Sequence, residues 1–492
     1  MRLKVKNFNW LAGRPVVVLH SQTAKRLNVF QNDRVCLENK HKFYAVVDIF
    51  PKLVKEDEIG LSEEVTQAFS AKTGNRLDVY AAEMSQAAQI IKSKISGKEL
   101  TEKEIGVVIE QIVKNNLTEA EIAYFLAAQK IQGMTIQESV FLTRAMVKTG
   151  MKLKFSSNNI VDKHCIGGIA GNRTTPIIVS ICATAGLKIP KTSSRAITSA
   201  SGTADVIETI ANVELKSDEI ENIVNKVNGC LVWGGGLMLS PSDDKIIQVE
   251  RLLNLDIESQ LLASIMSKKI AADSKKILID IPYGRGAKIA TLNESKKLGH
   301  KFEKIAKEFG MKILVVYTDG QQPIGNGIGP VLEMLDILKV LKNDIDAPKD
   351  LKEKSLFLSS KLLELGGIKD SDRKAKEILE SGEAYKKFKE IINVQNRHKD
   401  FDKRIKSLKL AKYTKIIVAN RTGKIISIDN KNINMVCRIL GSPELSSVGV
   451  YLHKHIGKIS KGDKLLTFYA ESKLKLEEAQ KYIKKNTVIL TT

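Results

Sequence analysis

Cysteine is scarce and scattered in this chain of 492 residues. The five thiols are Cys36, Cys165, Cys182, Cys230 and Cys437, and no two form a CxxC pair. That spacing excludes a disulfide framework and a structural zinc site, and it points to a reducing cytoplasm. Aromatic residues make up only 5% of the chain, so few stacking platforms accompany the net charge of +22. Lysine far outnumbers arginine and is spread along the whole chain. The positive balance therefore reads as a solvated lysine surface, not as a nucleic-acid groove. No uninterrupted apolar run is long enough to span a membrane. The opening MRLKVKNFNW reads as a strand, not a leader peptide. Two familiar phosphate loops are missing as well: there is no GxxxxGK[ST] and no full GxGxxG. No cluster of residues has metal-ligand spacing, so no metal or cofactor is expected.

What is present is the composition of an ordinary globular protein, 43% hydrophobic and 27% charged. The length predicts three or four domains. Residues 1–84 alternate like strands in LAGRPVVVLH, DRVCLENK and KFYAVVDIF, and predict a small β-rich module. Residues 85–155 predict a helical domain. TEKE at Thr101, TEAE at Thr118 and TIQE at Thr135 each place Glu three residues after Thr and ahead of an apolar stretch, the pattern of a capping box. Residues 156–412 alternate strands with helices, which predicts a mostly parallel α/β domain. The helical stretch at about 244–272 interrupts that rhythm and is expected to join the helical domain. Residues 413–492 predict a separate α+β domain.

Five polar stretches stand out, most of them at the ends of predicted strands, where parallel sheets bind ligands. DKHCIGGIAGNRTTP, from Asp162 to Pro176, combines a lysine and bare glycines with the start of a helix. TSSRAITSASGTADVIE crowds hydroxyls around Arg195 before GTAD opens another helix, and helix N-termini attract anions. VWGGGLMLSPSDD follows a strand. DIESQLLASIMSKK, if helical throughout, carries Asp256, Gln260, Ser264 and Lys268 on nearly one face. DIPYGRGAK ends in Lys288. Each has a plain reading beside the functional one: a tight turn, a helix cap at Asp256, a solvated Lys268, a structural His164. Together they suggest transfer to or from a phosphate.

KHxxGG, SSRAITSASGTADVIE and SIMSKK, in that order, resemble the thymidine/pyrimidine-nucleoside phosphorylase family over roughly residues 85–492, with GVYLHKHIGKISKGDKLL resembling its last domain. The extra N-terminal module, GNRTTP, VWGGGLMLSPSDD and TDGQQPIGNGIGP are similar to the archaeal AMP phosphorylase branch of that family. The resemblance then covers essentially the whole chain. It implies a cytoplasmic pentosyltransferase that phosphorolyses AMP, and also CMP and UMP, to the free base and ribose 1,5-bisphosphate. Inorganic phosphate is the co-substrate and no cofactor is implied. It also implies a homodimer or larger homo-oligomer, assembled with the help of the N-terminal module, with neither nucleic acid nor membrane as partner.

By position in the family's motifs, Lys163, Thr174, Ser193 and Thr203 match ligands of the attacking phosphate. Gly168, Ser194, Arg195, Ala196, Ile197, Thr198, Ser199, Thr203, Ser264 and Lys288 match contacts to AMP. Asp256 matches the acid that protonates the leaving base, a role for which burial of its carboxyl is expected. Lys268 matches a lysine that faces the base in the nucleoside enzymes. Two positions depart from the pattern. Cys165 stands where the family usually has serine, and a thiol is the weaker hydrogen-bond donor. Val249 stands where the nucleoside enzymes have an arginine on the pyrimidine, with Arg251 two residues on. The second departure argues against thymidine and for a nucleotide. A pyrimidine-nucleoside phosphorylase is the alternative. A phosphoribosyltransferase of similar architecture would need an acidic metal pair that is not evident here, and a basic nucleic-acid scaffold is the non-enzymatic competitor.

Overall fold

The computed structural model describes the chain apart from Lys40, residues 83–85, Ser156, Asn158, Ile197, Thr198 and Asn254. It divides into two compact units, residues Met1–Thr149 with Pro241–Ser264, and Gly150–Ser240 with Ile265–Thr492.

The first unit opens with six strands, β1 (Arg2–Asn7), β2 (Val16–Leu19), β3 (Arg34–Glu38), β4 (Lys42–Ile49), β5 (Glu58–Leu61) and β6 (Arg76–Ala81). They close into a barrel in the order β1-β5-β2-β4-β3-β6. Alternate residues such as Leu3 and Val5, Val35 and Leu37, and Ile59 and Leu61 fill its core. The two-residue period gives every strand one inward face, and closure leaves no open edge. Helices Gln86–Ile95, Glu102–Val113, Glu119–Gln132 and Ile136–Thr149 follow. Thr101 and Thr118 form reciprocal capping boxes with Glu104 and Glu121. Thr135 and Glu138 exchange the same pair of bonds, at 2.8 and 3.1 Å. Glu138 is buried and also accepts from Lys94 Nζ at 2.7 Å and from the Leu100 amide at 2.9 Å. One carboxylate thus ties the first helix and the segment entering the second to the start of the fourth. Ile246, Val249, Ile257 and Ala263 share an apolar cluster with Ile105, Ile109, Phe125 and Met146.

The second unit holds parallel strands β7 (Val161–Cys165), β8 (Ile189–Ser193), β9 (Gly229–Trp233), β10 (Lys276–Tyr283) and β11 (Lys312–Asp319). They pair as β11-β10-β7 and as β8-β9, and a parallel bridge between Ile160 and Lys188 lines up the two groups. β10 is buried over nearly its whole length, as a strand covered on both faces must be. A large core including Ile177, Ile181, Leu231, Leu278, Leu358 and Phe388 surrounds these strands. The remaining strands are β12 (Gly327–Ile328), β13 (Tyr413–Val418), β14 (Gly423–Ile428), β15 (Gly449–Leu452), β16 (Gly457–Ile459), β17 (Lys464–Ala470) and β18 (Ile489–Thr491). They form sheets β12-β15-β17-β13 and β16-β14-β18 around a second core that contains Ile433, Val450 and Phe468. The architecture is the multidomain one the sequence predicts: a β-rich N-terminal module, a helical domain, a mostly parallel α/β domain and a C-terminal α+β domain. The carboxyl ends of β7, β8, β9 and β10 carry four of the five polar stretches.

Candidate active site

Within the second unit, the loop after β7 turns on Gly167 and Gly168, at φ +91° and +89°. A Cβ on Gly168 would come within 2.5 Å of the Lys288 amide nitrogen, so the missing side chain lets two of the expected nucleotide-contacting segments touch. Lys163, on β7, is almost wholly buried, and its Nζ donates to Thr174 Oγ1 at 3.2 Å. Thr174 precedes helix Thr175–Thr184, whose first turn contains Pro176. Proline there removes no needed N–H, and the free amides and dipole of the first turn favour an anion.

The loop after β8 is folded by Asp205, whose Oδ2 accepts from the amides of Ala196 at 2.8 Å and Gly202 at 2.7 Å. Ser193 ends β8 with its Oγ buried and without a hydrogen-bond partner in the protein. Ser194 is exposed. Ser199 Oγ donates to the Ser201 carbonyl at 3.0 Å. Ile197 and Thr198 lie outside the described residues. Arg195 is engaged: its guanidinium lies 4.7 Å over the Trp233 ring and pairs with Glu208 and Glu214. Thr203, first in helix Thr203–Glu208, accepts from Arg173 Nη1 at 3.0 Å.

Three residues outside the expected set organise these loops. Arg173 donates to Glu333 Oε2 at 2.6 Å, to Thr203 and to the Ser201 carbonyl at 3.0 Å. One planar fork therefore joins both loops to helix Pro330–Lys342. Burial pushes the Glu333 carboxyl up, against the pull of Arg173 and Ser201. Asn430 accepts from the Ala170 amide at 3.0 Å and donates to the Gly320 carbonyl at 3.2 Å. Asn434, one helical turn on, accepts from the Ala200 amide at 3.0 Å. Arg173 lies inside the quoted loop, and its type alone could have flagged it. The asparagines are some 230 to 260 positions away in sequence from the amides they hold, with no local pattern to mark them.

Lysines dominate the electrostatics. Asp162, fully buried, pairs with Lys269 at 2.6 Å and Lys191 at 3.5 Å. Burial alone would raise its carboxyl, but the two lysines hold it below the usual range. Burial drives His164 well below its ordinary value, and Lys269, Lys191, Lys163 and Lys268 push the same way. His164 is thus a neutral imidazole at neutral pH and brings no positive charge to an anion. Burial, followed by Asp280, raises the Cys165 thiol, and Asn172 Nδ2 lies 3.5 Å from its sulfur. Cys165 is therefore protonated and a weak donor.

The first unit carries the residues expected near the base. Helix Glu258–Ala271 begins two residues after Asp256, so Asp256 precedes the helical face on which Gln260 and Ser264 lie. It is exposed, and its carbonyl accepts from Lys130 Nζ at 2.9 Å. The burial expected for an acid is not seen at Asp256. Ser264 Oγ donates to Asp243 Oδ2 at 2.7 Å, and Gln260 Nε2 to Asp243 Oδ1 at 3.2 Å. Val249 is a buried core residue and Arg251 is exposed. Lys268 and Lys288 belong to the second unit, half-buried and exposed respectively. Among the described residues no three His, Cys, Asp or Glu side chains cluster as a metal site, and no helix is long and apolar enough to cross a membrane.

Residues 88–150 match the helical bundle domain of a glycosyl transferase family, and residues 157–385 match that family's a/b domain. Residues 424–490 match the pyrimidine nucleoside phosphorylase C-terminal domain. Fold and site thus define the class: a glycosyl transferase of the phosphorylase type, an enzyme that works on pentosyl groups. The chain is 41% identical over 488 residues to an AMP phosphorylase of Methanococcoides burtonii, covering 98% of this chain and 96% of that one. It is 39% identical to an AMP phosphorylase of Pyrococcus furiosus, covering 97% and 95%. A putative thymidine phosphorylase of Legionella pneumophila is 40% identical, over 89% of this chain and 85% of that one. The chain belongs to the AMP phosphorylase family. The crystal structure of an anthranilate phosphoribosyltransferase from Thermus thermophilus covers 62% of this chain and 99% of that one, with a TM-score of 0.51 and 17% identity. That likeness shows a shared fold.

Proposed function

We propose that the protein is an AMP phosphorylase that also accepts CMP and UMP, releasing the free base and ribose 1,5-bisphosphate. The observation that supports the reading is the contact of buried Lys163 with Thr174 at the start of helix Thr175–Thr184, beside Arg173, which donates to Thr203 at the start of the next helix. A buried cation, hydroxyls and free helix-end amides together make a site for an oxyanion. Near-full-length identity to AMP phosphorylases supports the nucleotide as second substrate.

In the proposed reaction a phosphate oxygen bonds to C1′ of the ribose as the bond from C1′ to the base nitrogen breaks. Positive charge grows on the ribose ring, and the electron pair leaves with the base. Asp256 donates a proton to that base, so it departs neutral. Lys163 and the hydroxyls hold the nucleophile in place and restrict its motion. The segments at Gly168, residues 194–199, Ser264 and Lys288 bind the nucleotide. No metal and no organic cofactor is needed, because the co-substrate brings its own nucleophile. The enzyme is read as cytoplasmic and as a homodimer or larger homo-oligomer, with the barrel as the assembly module.

The test is a panel of AMP, CMP, UMP and thymidine, each with and without phosphate, followed by chromatography of the released base. Phosphate-dependent release from the monophosphates and none from thymidine is expected. Release of thymine alone would favour the pyrimidine-nucleoside reading. For assembly, a chain lacking residues 1–84 should show a smaller particle mass by light scattering than the full chain. An unchanged mass would remove the barrel's assigned role.

A further inference from the structure

A second lysine reaches the buried cluster behind Lys163. Asp280, on β10, is fully buried, and Thr318 Oγ1 donates to its Oδ1 at 2.6 Å. Its other oxygen faces two ammonium groups, Lys354 Nζ at 3.3 Å and Lys163 Nζ at 3.9 Å. Lys354 comes from helix Lys349–Gly366, far from any of the polar stretches in the sequence. Its side chain is only 8% exposed. Its Nζ makes no hydrogen bond within the protein, and neither does Asp280 Oδ2. Burial raises the Asp280 carboxyl, but Lys354, then Lys163 and Thr318, hold it below the usual range, so it is ionised.

Two lysine heads share one carboxylate in this buried cluster, and burial together with the neighbouring Lys354 lowers the Lys163 ammonium from its ordinary value. A buried ammonium is costly without good partners. Lys163 has Thr174, whereas Lys354 has only its loose ion pair with Asp280. The two distances to Asp280 place the ammonium nitrogens at most about 7 Å apart. A tetrahedral anion bridges such a gap with a bond of about 2.8 Å at each end. Ser193 Oγ, the other buried donor without a partner on these loops, belongs to the residue that ends β8.

We propose that Lys354 is a second cationic ligand of the attacking phosphate, held ready by Asp280 and acting together with Lys163. Asp280 is the positioning residue: its carboxylate holds the two lysine heads beside each other while the anion is absent. The proposal rests on the phosphorolysis reading for its role in turnover, but not for the binding of phosphate itself.

The experiment titrates inorganic phosphate into the full chain by calorimetry, without nucleotide, for wild type, Lys354→Met and Lys354→Arg. Loss of one charge-assisted contact should weaken phosphate roughly ten- to a hundredfold in Lys354→Met. Lys354→Arg should bind within about threefold of wild type, because it keeps the charge. In turnover, KM for phosphate should rise with the same variant while KM for AMP stays within about twofold. If Lys354→Met loses its cooperative melt, Lys354→Gln, which keeps a polar head without charge, makes the same test. Phosphate affinity equal to wild type in a folded uncharged variant would overturn the proposal, as would a parallel rise of both KM values. Wild type that binds phosphate but releases no base would instead refute the phosphorolysis reading and leave the calorimetric comparison intact.

Discussion

The two units of this chain hold the charged groups of the proposed reaction differently. In the unit with the parallel sheet, Lys163, Asp162 and Asp280 are nearly or fully buried, and each is fixed by named partners. In the unit with the barrel and helical bundle, the proposed acid Asp256 is exposed, and the helix it was expected to share starts two residues later. The difference follows from what each group must do. An anion is recognised before chemistry begins, so its cations and hydroxyls can be preorganised by one fold. The candidate phosphate ligands Lys163, Thr174, Ser193 and Thr203 all lie in the second unit, and Asp256 in the first.

The largest effect expected from breaking this pair of roles lies on the exposed side. Asp256→Asn should lower kcat by roughly a hundred- to ten-thousandfold, with KM for AMP changed only a few-fold. A kcat near wild type would remove Asp256 as the acid. On the buried side the next largest effect is Arg173→Lys. A single ammonium cannot reproduce the fork that reaches Glu333, Thr203 and Ser201. Its kcat/KM for phosphate should fall roughly tenfold or more, measured with AMP saturating. An unchanged value would show that the two loops hold their places without it.

A smaller effect tests burial of charge by pH. Asp336 lies in the same unit, is buried, and accepts from the amides of Asn326 and Gly327, both at 2.7 Å. Burial raises its carboxyl to about 7 against the pull of those amides. A carboxyl raised on folding contributes stability at low pH that is lost as the pH climbs through its folded value. Asp336→Asn removes that loss, so its melting temperature relative to wild type should rise between pH 5 and pH 8. A gap independent of pH would contradict a carboxyl titrating there. The smallest effect belongs to Cys165→Ser. A hydroxyl donates better than the protonated thiol, so KM for phosphate should fall by about two- to threefold. A rise would mean that the cysteine's packing matters more than its hydrogen bonding.

The sequence was legible where chemistry is local. Thr101, Thr118 and Thr135 marked three helix starts, because a capping box is written within four residues. Lys163 and Thr174, eleven positions apart in one quoted loop and paired by family resemblance, meet in a hydrogen bond. Contacts set by tertiary packing left no such trace. Asp280 opens the quoted stretch DIPYGRGAK but gave no sign of its role, and Lys354 sits in an ordinary-looking lysine-rich helix; the fold brings both to Lys163. Asn430 and Asn434 carried no mark in the sequence, and only the fold presents them to Ala170 and Ala200. The one-face arrangement of Asp256 with Gln260 and Ser264 was conditional on DIESQLLASIMSKK being helical throughout, and its role as the acid came from the family resemblance. The helix begins later, and the residue is exposed.

Phosphorus NMR of the full chain incubated with AMP and orthophosphate tests the central claim most directly. A sugar 1-phosphate resonance should grow in step with free adenine and at the expense of orthophosphate, and neither should form when phosphate is omitted. Adenine released without a sugar 1-phosphate would show that water, not phosphate, attacks, and would contradict the assignment of the buried lysine site to the nucleophile.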